Sequence, residues 1–281
     1  MSDLVCDNLS MTFSVPVKRG KRDKSSDGEA GTSAISLVEA LKDINFTLKQ
    51  GELLSVLGPS GCGKTTLLNL VAGFMTPTGG EITLGGEPIE GPGKTRGMVF
   101  QQGALFEWLT VNRNVDFGLR MKKISPEESK IEVDRWLDVV GLAGFGDTPT
   151  YQLSGGMQQR VALARCLVNE PELILMDEPL GALDALTREK MQSLILKLWK
   201  ETGKTIIIIT HSVEEALLLG ERLFVMAPRP GRIHKEYNLD FAHKGLNHSL
   251  RDIKQEADFV KVREEILSMI WNMEEEIMGG V

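Results

Sequence analysis

One nine-residue stretch, Gly58 to Thr66 (GPSGCGKTT), sets the strongest limit on how this chain can fold. It follows a short apolar run, Leu53 to Leu57, and it opens a segment of helix formers, Lys64 to Ala72, that stops at Gly73. A strand, a tight loop and a helix in this order are the context that a phosphate-binding loop requires. The sequence therefore predicts that a nucleotide binds where this strand ends.

Each residue type in the stretch has a physical use. Glycines let the backbone curl so that successive N–H groups point inward, and the start of the helix adds its positive end. Lys64 can reach the β- and γ-phosphates, and the Thr65 hydroxyl can ligate Mg²⁺. A glycine-rich turn that merely links a strand to a helix would leave the Lys-Thr pair unexplained. The predicted phosphate-binding residues are Gly58, Pro59, Ser60, Gly61, Cys62, Gly63, Lys64, Thr65 and Thr66.

Length, charge and cysteine content narrow the class of protein. With 281 residues and 42% hydrophobic content, the chain can bury one large core, or one core with a smaller lobe attached. A net charge of −7 argues against nucleic acid as the main partner, since that role needs a large positive face. The three widely spaced cysteines argue against a disulfide framework, and no apolar run has the length of a signal peptide or a membrane span. We expect a cytosolic protein that touches a membrane only through partners.

Sequence patterns before and after the phosphate loop predict β-structure. Leu4 to Phe13 is expected to be an edge strand, Ile44 to Leu48 alternates with period two, and Thr76 to Gly93 is rich in turn residues, which favours antiparallel strands. The basic, polar tract Lys18 to Ser33 cannot bury apolar surface and is expected to be a mobile loop; contact with anionic lipid headgroups is the alternative.

Strands and helices alternate in the second half of the chain. Thr110 to Tyr151 contains no strand candidate and predicts a helical lobe within about residues 105–168. Thr205 to Thr210 (TIIIIT) is typical of a central parallel strand, and Ala185 to Thr202 has helical periodicity. Alternation of this kind implies βαβ units and a parallel sheet. The domain is expected to span residues 1–240, with a helical tail over 241–281 that packs against it.

Asp177 and Glu178 follow the apolar run Leu173 to Met176. An acid at this strand end can support the Mg²⁺ shell through water, which we predict for Asp177. Glu178 would point the other way if the strand continued, and it could polarise a water in line with the γ-phosphate. Together with the phosphate loop, this pair favours a nucleotide hydrolase over a simple binder, although a structural coincidence is the alternative.

A second unusual stretch, Leu153 to Arg160 (LSGGMQQR), also predicts an anion site. Ser154 can cap the following helix, while Gly155 and Gly156 expose its first N–H groups. One nucleotide does not need two complete phosphate sites from the same chain. We therefore expect this site to face the nucleotide bound by a second copy, in a twofold dimer.

Six motifs in order resemble the nucleotide-binding subunit of ABC transporters. They are GPSGCGKTT, Gln101, LSGGMQQR, LILMDEP (Leu173 to Pro179), GALD (Gly181 to Asp184) and His211. Further strings, among them EGPGKTRGMVFQ and TREKMQSLILKLWKETGKT, are most similar to the nitrate, taurine and sulfonate importer group, with the taurine or aliphatic-sulfonate ATPases as the best match. The resemblance covers about Leu4 to Leu239. It implies an α/β, RecA-like P-loop NTPase core with an antiparallel β portion and an inserted helical lobe.

The resemblance also implies a role for each motif residue. Glu178 is the general base, His211 contacts the γ-phosphate and orients the attacking water, and Gln101 senses the γ-phosphate or Mg²⁺. Thr65, Gln101 and Asp177 are the expected Mg²⁺ residues. The residues expected to contact nucleotide outside the phosphate loop are Ser154, Gly155 and Gly156, which close on the partner's ATP, Asp184 at the dimer seam, and Phe13 against adenine.

The implied assembly is two copies around two ATP molecules, coupled through the helical lobes to two permease subunits at the cytoplasmic face of the inner membrane. A solute-binding protein would serve the permeases. The sequence departs from the family at Met157 in the signature and at Phe106-Glu107-Trp108, where Leu-Pro-Trp is common.

Three rival functions stay open at this point. The first is an importer ATPase for nitrate, bicarbonate or another small solute. A non-transport ABC ATPase is a second, although the chain has one cassette and lacks a long coiled-coil insertion. A small-molecule kinase would share the phosphate loop but would not explain LSGGM.

Overall fold

A computed structural model describes residues 2–16, 35–101 and 104–279. The strands in these ranges are β1 (Leu4–Pro16), β2 (Ile35–Leu48), β3 (Leu53–Leu57), β4 (Gly79–Leu84), β5 (Glu87–Pro88), β6 (Arg96–Val99), β7 (Leu173–Asp177), β8 (Thr205–Ile209), β9 (Arg222–Ala227) and β10 (Arg232–Asn238). The α-helices are α1 (Lys64–Ala72), α2 (Val111–Val115), α3 (Phe117–Met121), α4 (Pro126–Val139), α5 (Gly155–Leu167), α6 (Ala185–Thr202), α7 (Val213–Leu218), α8 (Phe241–Gly245), α9 (Leu250–Ile253) and α10 (Ala257–Gly279). The basic tract of residues 18–33 lies outside the described residues.

The strands form two sheets. The larger has six strands in the order β10-β9-β3-β8-β7-β6, and the neighbouring pairs from β9 to β6 are all parallel, while β10 pairs antiparallel with β9. The smaller sheet has four antiparallel strands in the order β2-β1-β4-β5. Because parallel strands end at the same edge, the loops after β3, β7 and β8 meet there. The predicted parallel sheet is therefore confirmed, and it brings three motifs to one place.

The parallel strands contribute to two hydrophobic cores. All five residues of β3 and of β8 are buried, and their side chains alternate between the two faces of the sheet. One core, shared with α2 to α10, receives Leu53, Leu57, Ile206 and Ile208; the other, shared with α1 and the antiparallel sheet, receives Leu54, Val56, Ile207 and Ile209. The sheet is thus covered on both faces, as the TIIIIT run predicts.

The expected edge position of the first strand is wrong. Strand β1 lies inside the smaller sheet, paired with β2 on one side and β4 on the other. Alternation along a strand indicates which face is buried, but it carries no information on how many neighbours bond to its backbone. Hydrogen bonding by both edges is decided by residues distant in sequence, here Ile35–Leu48 and Gly79–Leu84.

Several helix boundaries agree with their sequence signals. Ser125 caps α4 by accepting a hydrogen bond from the Glu128 N–H, and Pro126 occupies the first turn. Helix α6 covers Ala185 to Thr202, as predicted, and it ends at Gly203 in the left-handed conformation. Helices α2 to α5 fall within the interval predicted for the helical lobe.

The C-terminal region packs against the first core, as predicted. Phe259 and Ile266 on α10 are fully buried, and the Phe259 ring packs edge-on against Phe241 with centroids 5.1 Å apart. Within the described residues, this region consists of three helices, α8, α9 and α10. In the parts of the chain that the structure describes, no helix is long and apolar enough to cross a membrane.

Candidate active site

The phosphate loop joins β3 to α1 through backbone that only glycine adopts readily. Gly63 immediately precedes α1 with φ of 93°, and a Cβ there would lie 2.5 Å from Leu41 Cδ2. A Cβ at Gly61, in contrast, would meet nothing within 4 Å, so this part of the loop faces open space. The loop is therefore tightly packed on its sheet side and open on the other side, which suits close approach of a phosphate group.

A cavity of about 300 Å³ lies over the loop. Its lining consists of Ala40 from β2, seven of the nine predicted phosphate-binding residues and one acid after β7: Ala40, Ser60, Gly61, Cys62, Gly63, Lys64, Thr65, Thr66 and Glu178. Gly58 and Pro59 contribute instead through their carbonyl groups, which accept hydrogen bonds from Lys64 Nζ at 2.7 and 3.2 Å. The Lys64 ammonium thus lies across the loop. Phosphate oxygens bound there can accept charge-assisted hydrogen bonds from it that are stronger than those to the two carbonyl groups.

Cys62 has a packing role in this loop. Its side chain is fully buried, and burial raises the pKa of its thiol despite the Lys64 ammonium nearby. A neutral, buried thiol is a poor nucleophile. Its contribution to the loop is therefore that of a small side chain that fits the available space.

Three predicted catalytic side chains converge beside the cavity. Glu178 Oε2 accepts a hydrogen bond from Gln101 Nε2 at 3.3 Å and lies 3.1 Å from His211 Nδ1. An ionised carboxylate only accepts hydrogen bonds, so Nδ1 of His211 is the donor in this contact when Glu178 is ionised. The His211 side chain is 64% exposed, so it is not a buried structural histidine.

Glu178 does not continue strand β7, so the expected alternation past Asp177 does not apply. Its φ of 44° is left-handed, which is uncommon for any residue with a side chain. Its N–H donates to the Ile209 carbonyl at 2.9 Å, and its own carbonyl accepts from the Gly181 N–H. These bonds hold a turn that presents the carboxylate to the cavity.

Asp177 ends β7 half-buried. Burial and, to a lesser degree, the adjacent Glu178 carboxylate raise the pKa of Asp177, while the Lys64 ammonium opposes the rise. Two neighbouring carboxylates at a buried strand end favour a cation beside them. A divalent ion beside Asp177 would therefore offset both the burial of its charge and the repulsion from Glu178.

The oxygen groups present suit Mg²⁺. Thr65 offers a hydroxyl, Asp177 a carboxylate, and Gln101 an amide oxygen, while the amide nitrogen of Gln101 bonds to Glu178. Among the described residues, no cluster of three or more His, Cys, Asp or Glu side chains can hold a metal. Mg²⁺ commonly binds through one or two protein oxygens plus substrate phosphates, so this sparse set fits it.

The signature residues lie away from this cavity. Ser154 caps α5 by accepting from the Met157 N–H at 3.4 Å, and both Ser154 and Gly155 are exposed. Gly156 is buried against α6, since a Cβ there would lie 2.4 Å from Thr187 Cγ2. None of the three lines the phosphate-loop cavity of their own chain.

Asp184 serves as the N-cap of α6. Its Oδ1 accepts hydrogen bonds from the Leu186 and Thr187 N–H groups, each at 3.1 Å. Hydrogen bonds from Thr187, through its side chain and its backbone, lower the pKa of Asp184. This exposed carboxylate is therefore held at the helix start and does not reach the phosphate loop.

The structure does not bring Phe13 to the cavity. Its side chain is partly buried against the second core, opposite Val38 in the β1–β2 ladder. The nearby residue that does line the cavity is Ala40. Stacking of Phe13 on adenine stays a prediction.

Sequence reasoning missed a buried cluster behind His211. Ser212 to Glu215 has the sequence pattern of a capping box, and the Glu215 N–H does donate to Ser212 Oγ. The Glu215 carboxylate, however, accepts from the Thr210 hydroxyl at 2.7 Å and lies beside Arg188. The sequence signal available was the acid Glu215, a few residues after the end of β8. A capping box explains this acid equally well.

Comparison with known proteins places these motifs among ATP-binding subunits. Residues 41–181 match the ABC transporter family model. The chain is 71% identical to the taurine import ATP-binding protein TauB of Pelagibacter ubique (strain HTCC1062), over 99% of each chain. It is 63% identical to the protein of the same name from Jannaschia sp. (strain CCS1), over 99% of this chain and 98% of that protein.

Solved structures give the same result for the fold. A dimeric, post-hydrolysis ATP-binding cassette, MJ0796 bound to ADP and Pi, superposes with a TM-score of 0.69 at 34% identity, covering 84% of this chain and 98% of that chain. CbiO1 from Clostridium perfringens, part of the ABC transporter complex cbiONQ, superposes with a TM-score of 0.71 at 30% identity, covering 93% and 98%. The predicted fold class is therefore confirmed.

Proposed function

This chain belongs to the ABC transporter family, and we propose that it is the ATP-hydrolysing subunit of an importer for taurine or a related aliphatic sulfonate. The observation that carries the proposal is the convergence of Glu178, Gln101 and His211 beside the phosphate loop. Identity of 71% along the whole chain to a taurine import ATP-binding protein supports the choice of solute.

Hydrolysis follows from the geometry of these groups. Lys64 and the N–H groups at the start of α1 bind the phosphates and hold the γ-phosphate against the Glu178 side of the cavity. Glu178 accepts a proton from the attacking water, and His211 keeps the carboxylate oriented through Nδ1. Thr65, Asp177 and Gln101 would hold Mg²⁺, which when bound neutralises charge on the β- and γ-phosphates.

Two copies of the chain are needed to complete each site. The exposed N–H groups at the start of α5 form an anion site that their own nucleotide does not use. In a twofold dimer, Ser154 and Gly155 of one copy close over the γ-phosphate bound by the other, and Asp184 lies between the two sites. The dimeric state of the related cassette MJ0796 supports this arrangement.

An exposed aromatic surface on the helical lobe is suited to a permease subunit. Phe106 packs against Phe117 with centroids 4.6 Å apart and against Trp108 at 5.5 Å, and the Trp108 side chain is 80% exposed. The adjoining cleft, about 320 Å³, is lined by Phe106, Phe117 and Lys122 among others. We place the permease here, which sets this subunit at the cytoplasmic face of the inner membrane.

Reconstitution tests the whole proposal. The chain is co-purified with its permease partners, placed in vesicles with a solute-binding protein, and supplied with ATP on the cytoplasmic side. We expect ATP-dependent accumulation of labelled taurine and phosphate release without any added acceptor. Uptake of nitrate but not taurine would show that the importer carries nitrate instead of a sulfonate. Phosphate release without uptake of any tested anion would favour a non-transport ATPase.

A further inference from the structure

Hydrogen bonds on both sides of His211 lead to one buried carboxylate. The Thr210 hydroxyl donates to Glu215 Oε2 at 2.7 Å, and the Ser212 N–H donates to Thr210 Oγ1 at 3.1 Å. Thr210 is 1% exposed and Glu215 is 5% exposed. Buried, charge-assisted hydrogen bonds are short and directional, so they fix the backbone that carries His211.

Packing contributes little to the orientation of the His211 side chain. It is 64% exposed, and within the described residues its hydrogen-bond contact is with Glu178 Oε2 at 3.1 Å. An exposed imidazole gains little positional order from packing. Its orientation toward Glu178 therefore depends on the backbone conformation that Thr210 and Ser212 impose.

The same carboxylate connects to a second functional segment. Glu215 Oε1 lies 3.4 Å from Arg188 Nε, and the N–H direction makes this an ionic contact instead of a hydrogen bond. Arg188 also donates through its terminal nitrogen to the Leu183 carbonyl at 2.8 Å. Leu183 directly precedes Asp184, so the cluster joins the His211 loop to the turn proposed to lie at the dimer seam.

We propose that Thr210 and Glu215 are positioning residues for hydrolysis, which orient His211 toward Glu178, and that Arg188 connects them to the Leu183 carbonyl. This inference rests on the proposed ATP hydrolysis. The competing explanation is that the cluster only stabilises the start of α7. The two explanations differ in which measurement a substitution changes, because positioning affects kcat while a stabilising contact affects thermal unfolding alone.

Two threonines, one at the start of β8 and one directly after its end, supply the test. Thr210→Val removes the hydroxyl at nearly constant volume, and Thr210→Ser restores a hydroxyl. The matched control is Thr205→Val at the other end of β8, where a threonine that is also 1% exposed accepts from the Gly51 N–H at 2.9 Å. Each full-length variant is assayed for kcat and KM for ATP and for melting temperature.

We expect Thr210→Val to lose at least about tenfold in kcat with KM within about twofold, because small displacements of a catalytic group have costs of this size. Thr210→Ser should recover most of the loss, and Thr205→Val should lower the melting temperature without changing kcat. Glu215→Gln keeps an acceptor for Thr210 but removes the charge facing Arg188, so it should give an intermediate kcat.

Three outcomes count against the inference. Unchanged kcat in folded Thr210→Val, equal losses in Thr205→Val and Thr210→Val, or no recovery in Thr210→Ser would each overturn it. If Thr210→Val does not fold, Glu215→Gln with wild-type kcat overturns it instead. Absence of hydrolysis by the unchanged protein would reject the proposed function itself. This outcome is therefore distinguishable from failure of the positioning role alone.

Discussion

Replacing Glu178 with glutamine exchanges one carboxylate oxygen for an NH₂ group and leaves the size of the side chain almost unchanged. The carboxylate has two neighbours within hydrogen-bond distance, Gln101 Nε2 at 3.3 Å and His211 Nδ1 at 3.1 Å. Both contacts are to the same oxygen, Oε2, so the amide oxygen of glutamine can accept from both when it takes that position. The loss in the resting protein is therefore the charge assistance of these bonds at a partly exposed site, or roughly 1 kcal/mol.

The loss during hydrolysis is expected to be much larger. A general base contributes about 10²- to 10⁴-fold, equivalent to roughly 3–5 kcal/mol of activation free energy. We therefore expect Glu178→Gln to retain ATP affinity within about threefold while kcat falls at least about 100-fold. Trapped ATP should also hold the variant in its dimeric form.

Phosphate release, ATP binding and size-exclusion chromatography with light scattering measure the three quantities. Glu214→Gln is the matched control, because Glu214 lies on α7 and pairs with Lys254 at 3.1 Å, outside the site. Steady hydrolysis by Glu178→Gln within tenfold of the wild-type rate would remove Glu178 as the base. A large loss of ATP affinity would show instead that Glu178 contributes to nucleotide binding.

Four further predictions concern other parts of the chain. Ser154→Arg should abolish ATP-dependent dimerisation in light scattering while monomer ATP affinity stays within about threefold; a large loss of that affinity would contradict closure over the partner's nucleotide. Phe259→Ala should lower the free energy of unfolding by about 3–5 kcal/mol in denaturant titration, and a loss below 1 kcal/mol would mean that α10 is not part of the core. Trp108→Ala should preserve ATP hydrolysis by the isolated subunit but reduce ATP-driven uptake in vesicles, whereas equal losses in both assays would argue against permease docking. Burial raises the pKa values of Cys6 and Cys166 to about 12, so at pH 8 both thiols are protonated and mass spectrometry should detect alkylation only after unfolding.

Local signals in the sequence were sufficient for the parts of the fold that depend on neighbouring residues. The phosphate loop, the N-cap at Ser125 and the end of α6 at Gly203 each follow from side chains and backbone preferences within a few positions. Convergence of Glu178 with His211 was also predictable, because parallel strands β7 and β8 end at one edge.

Other features depend on residues far apart in the chain. The interior position of β1 is set by strands β2 and β4 pairing on both of its sides. Likewise, the path of the Glu215 side chain toward Thr210 and Arg188 depends on how α7 packs beside α6, which periodicity does not encode.

The left-handed backbone at Glu178 has a consequence for the evolution of this molecule. A residue with a β-carbon at φ of 44° carries a conformational strain of about 1–3 kcal/mol. Asparagine tolerates this region better, so Glu178→Asn should unfold at a higher temperature while its kcat falls at least about 100-fold. Selection for thermal stability alone would therefore remove the acid. With Glu178 as the proposed general base, this is a position where turnover is kept at the expense of stability.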